Sequence, residues 1–582
     1  MKNRMKLLAL ALAVLMLAGA MAACNTNPGT TTTAGASSTT AAPGGTATTA
    51  APTTGAAKTE PQILRYGLSG YDGAFMPIMY NVVYDSQFCS IFFEPLVTNN
   101  TGGEYVPILG TWEMENDNHT YVFTLKDGIK FNDGTPMTAA DVEFTYKMIA
   151  HPEYNGTRSS AVSQLEGYQA VRDGTTTDFP GIEVRDDKTI AFHYTEGNAS
   201  PANIKNFVYG IMNKAYYEAD TWEGFIAKLS TPGEAGGSGP YILKEYKPKE
   251  LIHCVKSLNY WDIANSEVFF DEILGIEVPI DNMIAALQTG QIDFGELGAS
   301  MDNVAALDAI PGIRRYNDLA NGYTYMTFNC RNGIFDDKRV RHAFLYALDR
   351  KSFIQVEYGE LAQVGMTPLS PVSWAFPDVS EMNAYDYNPE LAGQLLDEAG
   401  WAMGNDGFRY KDGRKLSVTW WVYHEATWPG TLSGMAADSW KQVGIELNIE
   451  LMDFTTTSAR SKDFTKEPRE FDIYTMGFSL SAEPDPKGGL FDQDGYDIGG
   501  YDASGYVNQA AQDLIQAGRS TFDQAERAKI YKEWGLMMNE EVPTTIVAYR
   551  NFLWGISERI EGMDFNAMTN WSLHIHNTRF VD

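Results

Sequence analysis

The sequence predicts a mixed α/β protein with more than one domain. Segments with the period-two alternation of strands are interleaved with segments of helical spacing along the whole chain, without a strict repeat. The chain has 582 residues, which is more than one hydrophobic core usually serves, so two or three domains are expected. Apolar residues make up 44% of the chain and aromatic residues 12%, which is enough to bury several cores.

The first 23 residues have the pattern of a secretion signal. Two lysines and one arginine precede an apolar stretch at 7–17 that is too short to span a bilayer. Met-Ala-Ala then precedes Cys24, which resembles a bacterial lipobox and predicts removal of residues 1–23 and lipidation of the Cys24 thiol. An ordinary secretion signal followed by an incidental cysteine is the alternative. No other stretch approaches 18 consecutive apolar residues, so the lipid is the expected membrane attachment.

Residues 24–60 are expected to form a disordered linker. Positions 25–57 contain only Thr, Ala, Gly, Pro, Ser and Asn, and such a segment cannot bury apolar surface. A flexible chain of this length has a root-mean-square reach on the order of 30 Å. The linker therefore holds a folded body clear of the membrane.

The segment 112–149 predicts two short strands followed by a capped helix. Large residues alternate at 121–125, which is typical of a half-buried strand, and 129–131 predicts its short hairpin partner. Thr138 and Asp141 have the spacing of a capping box. Apolar residues then recur at helical spacing to the end of the segment, so an amphipathic helix is expected.

The same criteria predict the remaining elements. Strands are expected at 62–66, 189–194, 323–329, 416–423 and 472–479. Helices are expected at 86–96, 201–212, 335–350, 388–399 and 524–540, and another helix ends at Gly444. A glycine cluster at 236–239 precedes Pro240 and allows close backbone packing before a strand. It is not a phosphate loop, because no GKS or GKT and no helix follow it.

The net charge limits the classes of molecule that the protein can bind, and the cysteine content limits the disulfides that it can form. The net charge of −31 argues against nucleic acid, whose phosphate backbone would be repelled, and favours solubility; a cationic ligand is left open. Besides Cys24 the cysteines are Cys89, Cys254 and Cys330, with no CxxC pair. No disulfide framework is therefore expected, although one bridge is possible.

No enzyme signature is present. The sequence lacks HExxH, GxSxG, a phosphate loop, a dinucleotide fingerprint and a Cys–His signature. His574 and His576 are expected on one face of a strand, but a third metal ligand nearby is missing, so structural packing is the preferred interpretation. Carboxylates are too numerous for a glycosidase pair to be identified or excluded. The sequence indicates a binding protein without a cofactor or metal, and a secreted hydrolase is the alternative from another class.

Several stretches together resemble one family. They are WEMENDNHTYVFTLKDGIKFNDGTPMTAADVEF at 112–144, FEPLV at 93–97, GSGPY at 237–241, NYW at 259–261 and DDKRVR at 336–341. This set resembles the family 5 extracellular solute-binding proteins, which are the peptide, dipeptide, nickel and oligosaccharide receptors of ABC importers. The resemblance spans about 62–580, and Ile334 stands where the family has a proline.

The resemblance implies a two-lobed periplasmic-binding-protein-like α/β fold of class II (cluster C). The implied first lobe is 61–325 plus 550–582, with an extra subdomain at about 100–235, and the second lobe is 326–549. Chain crossings between the lobes are expected near 323–329 and 547–551. The protein is expected to be a monomer that closes its lobes over the ligand by hinge motion.

The same resemblance implies a ligand-binding strand. The segment GFSLSAEPDP is similar to a stretch of oligopeptide-type members in which exposed backbone pairs with the ligand like an added strand. That role carries over to Gly477, Phe478 and Ser479. Some peptide receptors place an aspartate slightly further on to meet the ligand's ammonium group, but here Ser481 and Ala482 stand at that position. The amine anchor is therefore absent or moved to Glu483.

The opposite wall of the cleft is implied to be a strand-loop formed by Tyr80, Asn81 and Val82. Tyr154 stands where other members place an aromatic side chain from the extra subdomain. The second lobe is expected to add three residues: Tyr423, His424 and Phe454. Packing in a hydrophobic core is the alternative for each aromatic residue of this set.

Taken together, the sequence predicts a lipid-anchored receptor on the extracellular face of a bacterial membrane. It is expected to bind oligopeptides between its lobes and to deliver them to the permease subunits of an ABC importer. Oligosaccharides, for which the 12 Trp and 31 Tyr would be suitable stacking surfaces, and nickel or a metal chelate are the alternative ligands.

Overall fold

The computed structural model describes residues 60–116, 118–498, 500–563 and 565–581. The predicted signal segment 1–23, the predicted lipid anchor Cys24 and all but the last residue of the predicted linker 24–60 lie outside them. None of the helices described combines the length and the apolar composition needed to span a bilayer. Cys89 and Cys254 are buried, Cys330 is half-buried, and none of these three forms a disulfide.

The strands of the described residues are, in chain order, β1 Ile63–Leu68, β2 Val97–Asn99, β3 Tyr105–Pro107, β4 Gly110–Glu115, β5 Thr120–Leu125, β6 Ile182–Val184, β7 Thr189–His193, β8 Tyr241–Lys247, β9 Leu251–Lys256, β10 Glu272–Glu277, β11 Phe294–Leu297, β12 Ile313–Leu319, β13 Gly322–Phe328, β14 Ala362–Val364, β15 Ala402–Met403, β16 Arg409–Lys411, β17 Arg414–Lys415, β18 Ser417–Tyr423, β19 Glu446–Met452, β20 Ile473–Ser479, β21 Thr544–Ser557, β22 Ile560–Glu561 and β23 Arg579–Phe580.

The α-helices of the same residues are α1 Val83–Phe92, α2 Ala139–Ile149, α3 Tyr168–Arg172, α4 Lys214–Tyr217, α5 Trp222–Ile226, α6 Gly233–Gly236, α7 Met283–Thr289, α8 Met301–Asp308, α9 Lys338–Tyr346, α10 Arg350–Glu357, α11 Pro389–Glu398, α12 Trp428–Gln442, α13 Phe454–Ser461, α14 Gln509–Ser520 and α15 Gln524–Glu541. Short 3₁₀ helices occur at Ser159–Ala161, Pro201–Phe207, Ile280–Asn282, Gly359–Leu361, Val379–Glu381, Gln493–Ile498 and Trp571–His574.

One mixed sheet runs through the protein in the order β19-β18-β20-β13-β21-β11-β1-β10-β9-β8. Its longest strand is β21, which pairs with β13 and β14 through its first half and with β11 and β12 through its second half. A separate antiparallel sheet has the order β4-β5-β7-β6. Strand β21 therefore links the two halves of the main sheet.

The buried apolar side chains form two separate clusters. The first core contains residues between 64 and 273, Phe294, and residues between 554 and 575. The second core contains residues between 278 and 553. Neighbouring residues of β21 such as Leu553 and Trp554 belong to different cores, because successive side chains of a strand point to opposite faces of the sheet. Strands β11 and β21 therefore lie between the two cores. Residues 278–307, which the sequence assigns to the first lobe, add side chains to the second core.

Most of the predicted strands and helices are confirmed. The exceptions differ in the strand with which they pair, or in the type or length of the helix. Strand β5 is present at the predicted position, but 129–131 forms only an isolated bridge and β5 pairs with β4 and β7 instead. The predicted helix at 201–212 is a 3₁₀ helix that ends at Phe207. The predicted helix at 335–350 is two helices, α9 and α10, because Asp349 caps a new helix start.

The capping box that precedes α2 is confirmed. The backbone N–H of Thr138 donates to Asp141 Oδ2 at 2.8 Å, and the other oxygen, Oδ1, accepts from the Lys214 N–H at 2.9 Å. Asp141 thus caps the first turn of α2 and also binds the backbone at the start of α4.

The close backbone packing predicted for the glycine cluster is confirmed, since a Cβ on Gly237 would lie 2.0 Å from the Phe92 carbonyl oxygen. The expected strand around His574 and His576 is wrong, because the chain there forms a 3₁₀ turn.

Candidate ligand-binding site

The end of β20 has one free edge. On one side, β20 pairs with β13 along its full length, from Gly322 opposite Ser479 to Phe328 opposite Ile473. On the other side it pairs with β18 only at Ile473 and Tyr474. Gly477 and Ser479 are exposed, so among the described residues their outer backbone groups face no strand. An unpaired strand edge of this kind can accept an added strand from a ligand.

A cavity of about 280 Å³ adjoins this strand end. Its apolar wall includes Tyr323, Phe478, Leu490, Phe491 and Trp534. The Tyr323 and Phe478 rings are stacked, with their centroids 5.9 Å apart. The cavity therefore has a desolvated aromatic wall beside exposed backbone, which is the combination that an extended, partly apolar ligand requires.

Two further cavities, of about 350 and 430 Å³, adjoin the first one. The second cavity shares Lys205, Asn321 and Ser481 with the first, and the third shares Glu483 with the first. Tyr105 lines both the second and the third. Because residues packed on both hydrophobic cores line them, the three cavities form one cleft between the cores.

Buried ion pairs cross this cleft and line it. Asp485, whose side chain is fully buried, accepts from Lys205 Nζ at 3.4 Å and from Arg519 Nη1 at 2.5 Å. Lys205 follows residues of the first core, whereas Asp485 and Arg519 belong to the part of the chain that builds the second. Glu483 pairs with Arg527 at 2.9 Å, and both side chains are nearly buried. Burial raises the pKa of Glu483 to about 7, and Arg527 opposes that rise.

A second group of polar residues lies on the floor between the cores. Glu296 is on β11, directly opposite Trp554 on β21. Burial raises the pKa of Glu296 to about 7, and the positive charge of Arg550 on β21 opposes that rise. Burial raises the pKa of Tyr423, and the hydrogen bond from Trp428 and the charge of Arg550 oppose that rise. Glu296 in turn raises the pKa of Tyr84 on α1, where burial is again the larger cause.

These electrostatic contacts connect residues on opposite sides of the cleft. Tyr84 belongs to the first core's surroundings and Tyr423 to the second core. Glu296 and Arg550 form no ion pair with each other within 4.0 Å among the described residues, and neither lines the three cavities.

Tyr80, Asn81 and Val82 form the segment just before α1. The Arg158 guanidinium lies 4.5 Å from the centroid of the Tyr80 ring and 5.5 Å from that of Tyr209, which lines the second cavity. Tyr80 is thus one side chain removed from that cavity. Asn81 is exposed and its Oδ1 accepts from the Thr157 hydroxyl at 3.4 Å. Val82 is half-buried, in extended backbone before the helix.

Tyr154 is packed inside the first core. Its side chain is 2% exposed, its hydroxyl donates to the Ile78 carbonyl at 2.7 Å, and it accepts from the Arg158 N–H at 3.1 Å. Burial raises the pKa of Tyr154 to about 12. Tyr154 is therefore a core residue, which is the alternative given for every aromatic residue of the predicted set. Its hydrogen bond to Ile78 supports the segment that leads to Tyr80.

The three residues predicted from the second lobe lie together at the ends of β18 and β19. Tyr423 is buried and its hydroxyl accepts from Trp428 Nε1 at 2.9 Å. Phe454 is 45% exposed and packs its ring edge against Tyr423, with centroids 5.3 Å apart. The His424 side chain is exposed. None of these three lines the cavities described above, although Tyr423 is linked to the floor through Arg550.

The cleft cavities bring together Phe478, Ser479 and Ser481 from the predicted set. The Ser481 hydroxyl donates to the Glu483 carbonyl at 2.7 Å. Sequence reasoning missed Lys205 and Arg519, for which no local pattern exists.

Comparison with known proteins gives one family and a set of similar structures. Residues 104–496 match the family described as bacterial extracellular solute-binding proteins, family 5 Middle. The oligopeptide-binding protein AppA of Bacillus subtilis (strain 168) is 28% identical over 463 residues, which cover 77% of this chain and 78% of AppA. The dipeptide-binding protein of Escherichia coli (strain K12) is 23% identical over 526 residues, covering 88% of this chain and 93% of that protein.

A solved structure of Bacillus subtilis AppA with a nonapeptide is also similar in fold. It has a TM-score of 0.70 at 24% identity, and the match covers 90% of this chain and all of AppA.

Proposed function

The chain belongs to the bacterial extracellular solute-binding proteins of family 5, and on that basis we propose that it binds oligopeptides for an ABC importer. Likeness to solved members places its mixed α/β architecture in the two-lobed periplasmic-binding-protein fold. Proteins of this family are binding receptors and not enzymes. The ligand is therefore expected to leave the cleft chemically unchanged.

The free edge of β20 is the observation that carries the peptide proposal. A peptide in extended conformation supplies one N–H and one C=O per residue, which can continue the sheet beside Gly477, Phe478 and Ser479. Side chains of the peptide would then point alternately toward the aromatic cavity and away from it. The oligopeptide-binding relative of Bacillus subtilis supports this ligand class.

The proposed mechanism is closure of two lobes over the ligand. We take the lobes to be 61–325 with 550–582, and 326–549, with the extra subdomain at about 100–235. The two hydrophobic cores support a division of this kind, and the Lys205–Asp485 ion pair supports a closed state in which the lobes touch. Closing the cleft removes water from the ligand and strengthens each hydrogen bond to it.

The proposed location is the extracellular face of a bacterial membrane, with the folded part acting as a monomer. The sequence supports it through the secretion signal at 1–23, the lipobox cysteine Cys24 and the linker at 24–60. The permease subunits of the importer are the proposed protein partner, which would receive the peptide when the lobes open.

Thermal unfolding of the purified protein with separate peptide, oligosaccharide and nickel libraries tests the ligand class. A ligand that binds the folded state stabilises it by RT ln(1 + [L]/Kd), so peptides at about 100 times their Kd are expected to contribute about 2.7 kcal/mol. Stabilisation by sugars or nickel alone contradicts the proposal. Conversion of any hit into a product would show that the protein is an enzyme.

Backbone pairing is tested with a peptide that binds, by methylating one backbone nitrogen at a time. In an added strand only every second N–H points to β20, so methylation is expected to weaken binding at alternate positions. Each lost hydrogen bond should reduce affinity about 3- to 10-fold, whereas positions between them act as matched controls. Equal effects at all positions would show that the peptide does not extend the sheet.

A further inference from the structure

A fourth cavity, of about 730 Å³, is lined by residues between 143 and 225, within the predicted extra subdomain. It shares no lining residue with the three cavities of the cleft. Its walls come from the second half of α2, from the loop that follows α3, and from α4 and α5. Small-molecule sites in proteins typically enclose roughly 300–1,000 Å³, so this cavity is large enough for a ligand of its own.

Five side chains with aromatic rings line this cavity and contact one another, and together they are called the aromatic wall here. The Phe225 ring lies 5.1 Å from that of Trp222 and 6.4 Å from that of Phe144 between centroids. The Tyr217 ring lies 6.3 Å from Phe225, and the His151 imidazole stacks on Trp222 with centroids 4.9 Å apart. Trp222 and His151 are only half-buried, so the wall keeps aromatic surface that the protein does not cover.

The charged residues that line the cavity carry an excess of negative charge. Glu143 pairs with Lys147 at 2.7 Å, so these two charges balance. Among the described residues, the other charged side chains of the lining are three exposed carboxylates and one half-buried amine: Glu153, Glu218, Asp220 and Lys214. None of these four forms an ion pair within 4.0 Å with a described residue. The excess of carboxylates favours a cation and disfavours an anion.

We propose that this cavity is a second ligand site, which binds a small organic cation with an aromatic body. The aromatic wall contacts the ring of such a ligand, and the exposed carboxylates attract its positive charge. An aliphatic amine would leave the aromatic wall in contact with water, and an aromatic acid would be repelled by the carboxylates. The inference does not rest on the proposed peptide-binding function, because the cavity shares no residue with the cleft.

Four probes test the two requirements with the purified protein by isothermal titration calorimetry. Tryptamine has an indole ring and an ammonium group, and tryptophol has a hydroxyl group in place of the ammonium group. Indole-3-acetate has the ring with a negative charge, and butylamine has the ammonium group without the ring. Tryptamine is expected to bind about 3- to 10-fold more tightly than tryptophol, indole-3-acetate more weakly than tryptophol, and butylamine not measurably. Absence of tryptamine binding, or equal affinity for tryptamine and indole-3-acetate, overturns the inference.

Glu218→Gln and Asp220→Asn test where the cation binds. Each is expected to weaken tryptamine binding about 2- to 5-fold and to leave tryptophol binding unchanged. Both side chains are exposed, so neither variant should disturb the fold. The matched control is Glu223→Gln, since Glu223 is exposed on α5 but does not line the cavity. Equal weakening in all three variants would show general attraction to an acidic protein and overturns the inference.

Trp222→Leu keeps an apolar side chain but removes the ring, and it is expected to weaken both tryptamine and tryptophol about 5- to 30-fold. Its thermal midpoint is measured alongside to confirm that the variant is folded. Unchanged affinity of a folded Trp222→Leu variant for both probes overturns the inference.

Competition with a binding peptide distinguishes this cavity from the cleft. Saturating tryptamine is expected to leave the affinity of the peptide unchanged, because the two sites share no residue. Competition between them would place tryptamine in the cleft, which overturns this inference and leaves the proposed function intact. If no peptide binds the wild type, the proposed function fails, and the tests with tryptamine and the variants still decide whether the second site exists.

Discussion

Lys205 Nζ lies 3.4 Å from Asp485 Oδ2, and this ion pair joins the parts of the chain that build the two cores. The Asp485 side chain is fully buried and also accepts from Arg519. One carboxylate thus balances two cations at the place where the lobes are proposed to meet.

Asp485→Asn is expected to destabilise the protein strongly. The variant leaves Arg519 buried without its counter-charge, which typically costs about 3 to 5 kcal/mol. Urea unfolding followed by circular dichroism measures the change. The control is Asp494→Asn, since Asp494 pairs with Lys487 but is 72% exposed and should contribute less than about 1 kcal/mol. A small effect at both positions would show that the Asp485 cluster adds no net stability.

Glu94 is expected to make stability depend on pH in a particular direction. Burial raises its pKa from 4.5 to about 7, opposed by hydrogen bonds from Trp261, Tyr260 and Ser238. Because the pKa of an acid is raised in the folded state, the stabilisation is present below about pH 4.5 and is lost as the pH rises to about 7.

Glu94→Gln should therefore remove about 2 to 3 kcal/mol of pH dependence between pH 4.5 and 7. The measurement is the free energy of unfolding of both proteins at several pH values. The two curves should converge at low pH and separate at high pH, with the variant the more stable above pH 7. Parallel curves would mean that Glu94 does not titrate in this range.

Gly237→Ala is expected to destabilise the protein by about 2 to 3 kcal/mol, because the added methyl group would overlap the Phe92 carbonyl oxygen and force the backbones apart. Gly430, on the first turn of α12, is the control. A Cβ there meets nothing within 4 Å, so Gly430→Ala should be neutral or stabilise by up to about 1 kcal/mol. Thermal unfolding of the two variants compares them, and similar shifts would contradict the close approach at Gly237.

Asp141→Ala is expected to cost about 2 to 3 kcal/mol, more than the roughly 1 kcal/mol of an ordinary cap, because its carboxylate accepts backbone hydrogen bonds from both Thr138 and Lys214. Hydrogen exchange should accelerate at the start of α2 and of α4 together. The matched control is Asp523→Ala, which removes an exposed cap at the start of α15. Faster exchange in α2 alone would show that Asp141 does not hold α4.

Features that depend on neighbouring residues could be predicted from the sequence. Thr138 and Asp141 are three residues apart, so their pairing follows from local spacing. The strand at 121–125 was also correct, because its alternation is local. Its partner at 129–131 was not, since β5 pairs with the preceding strand β4 on one side and with the distant strand β7 on the other.

Features that depend on distant residues could not be predicted. Lys205 and Asp485 are separated by 280 positions, and nothing in either neighbourhood indicates the other. Tyr154 has the same side chain whether it lines a cleft or fills a core, and only the surrounding packing decides between them. Gly477, Phe478 and Ser479 were identified because a continuous stretch of ten residues carries the family pattern. The ligand contacts of these residues stay a prediction.

The three cysteines of the described residues have a practical consequence. Burial raises the pKa of the Cys89, Cys254 and Cys330 thiols, so in this part of the chain the native sulfur atoms are poor nucleophiles at neutral pH. Maleimide dyes should therefore react selectively with thiols engineered at exposed sites, one on each side of the cleft. Energy transfer between two such fluorophores could follow opening and closing in single molecules without removing any native cysteine of the folded part.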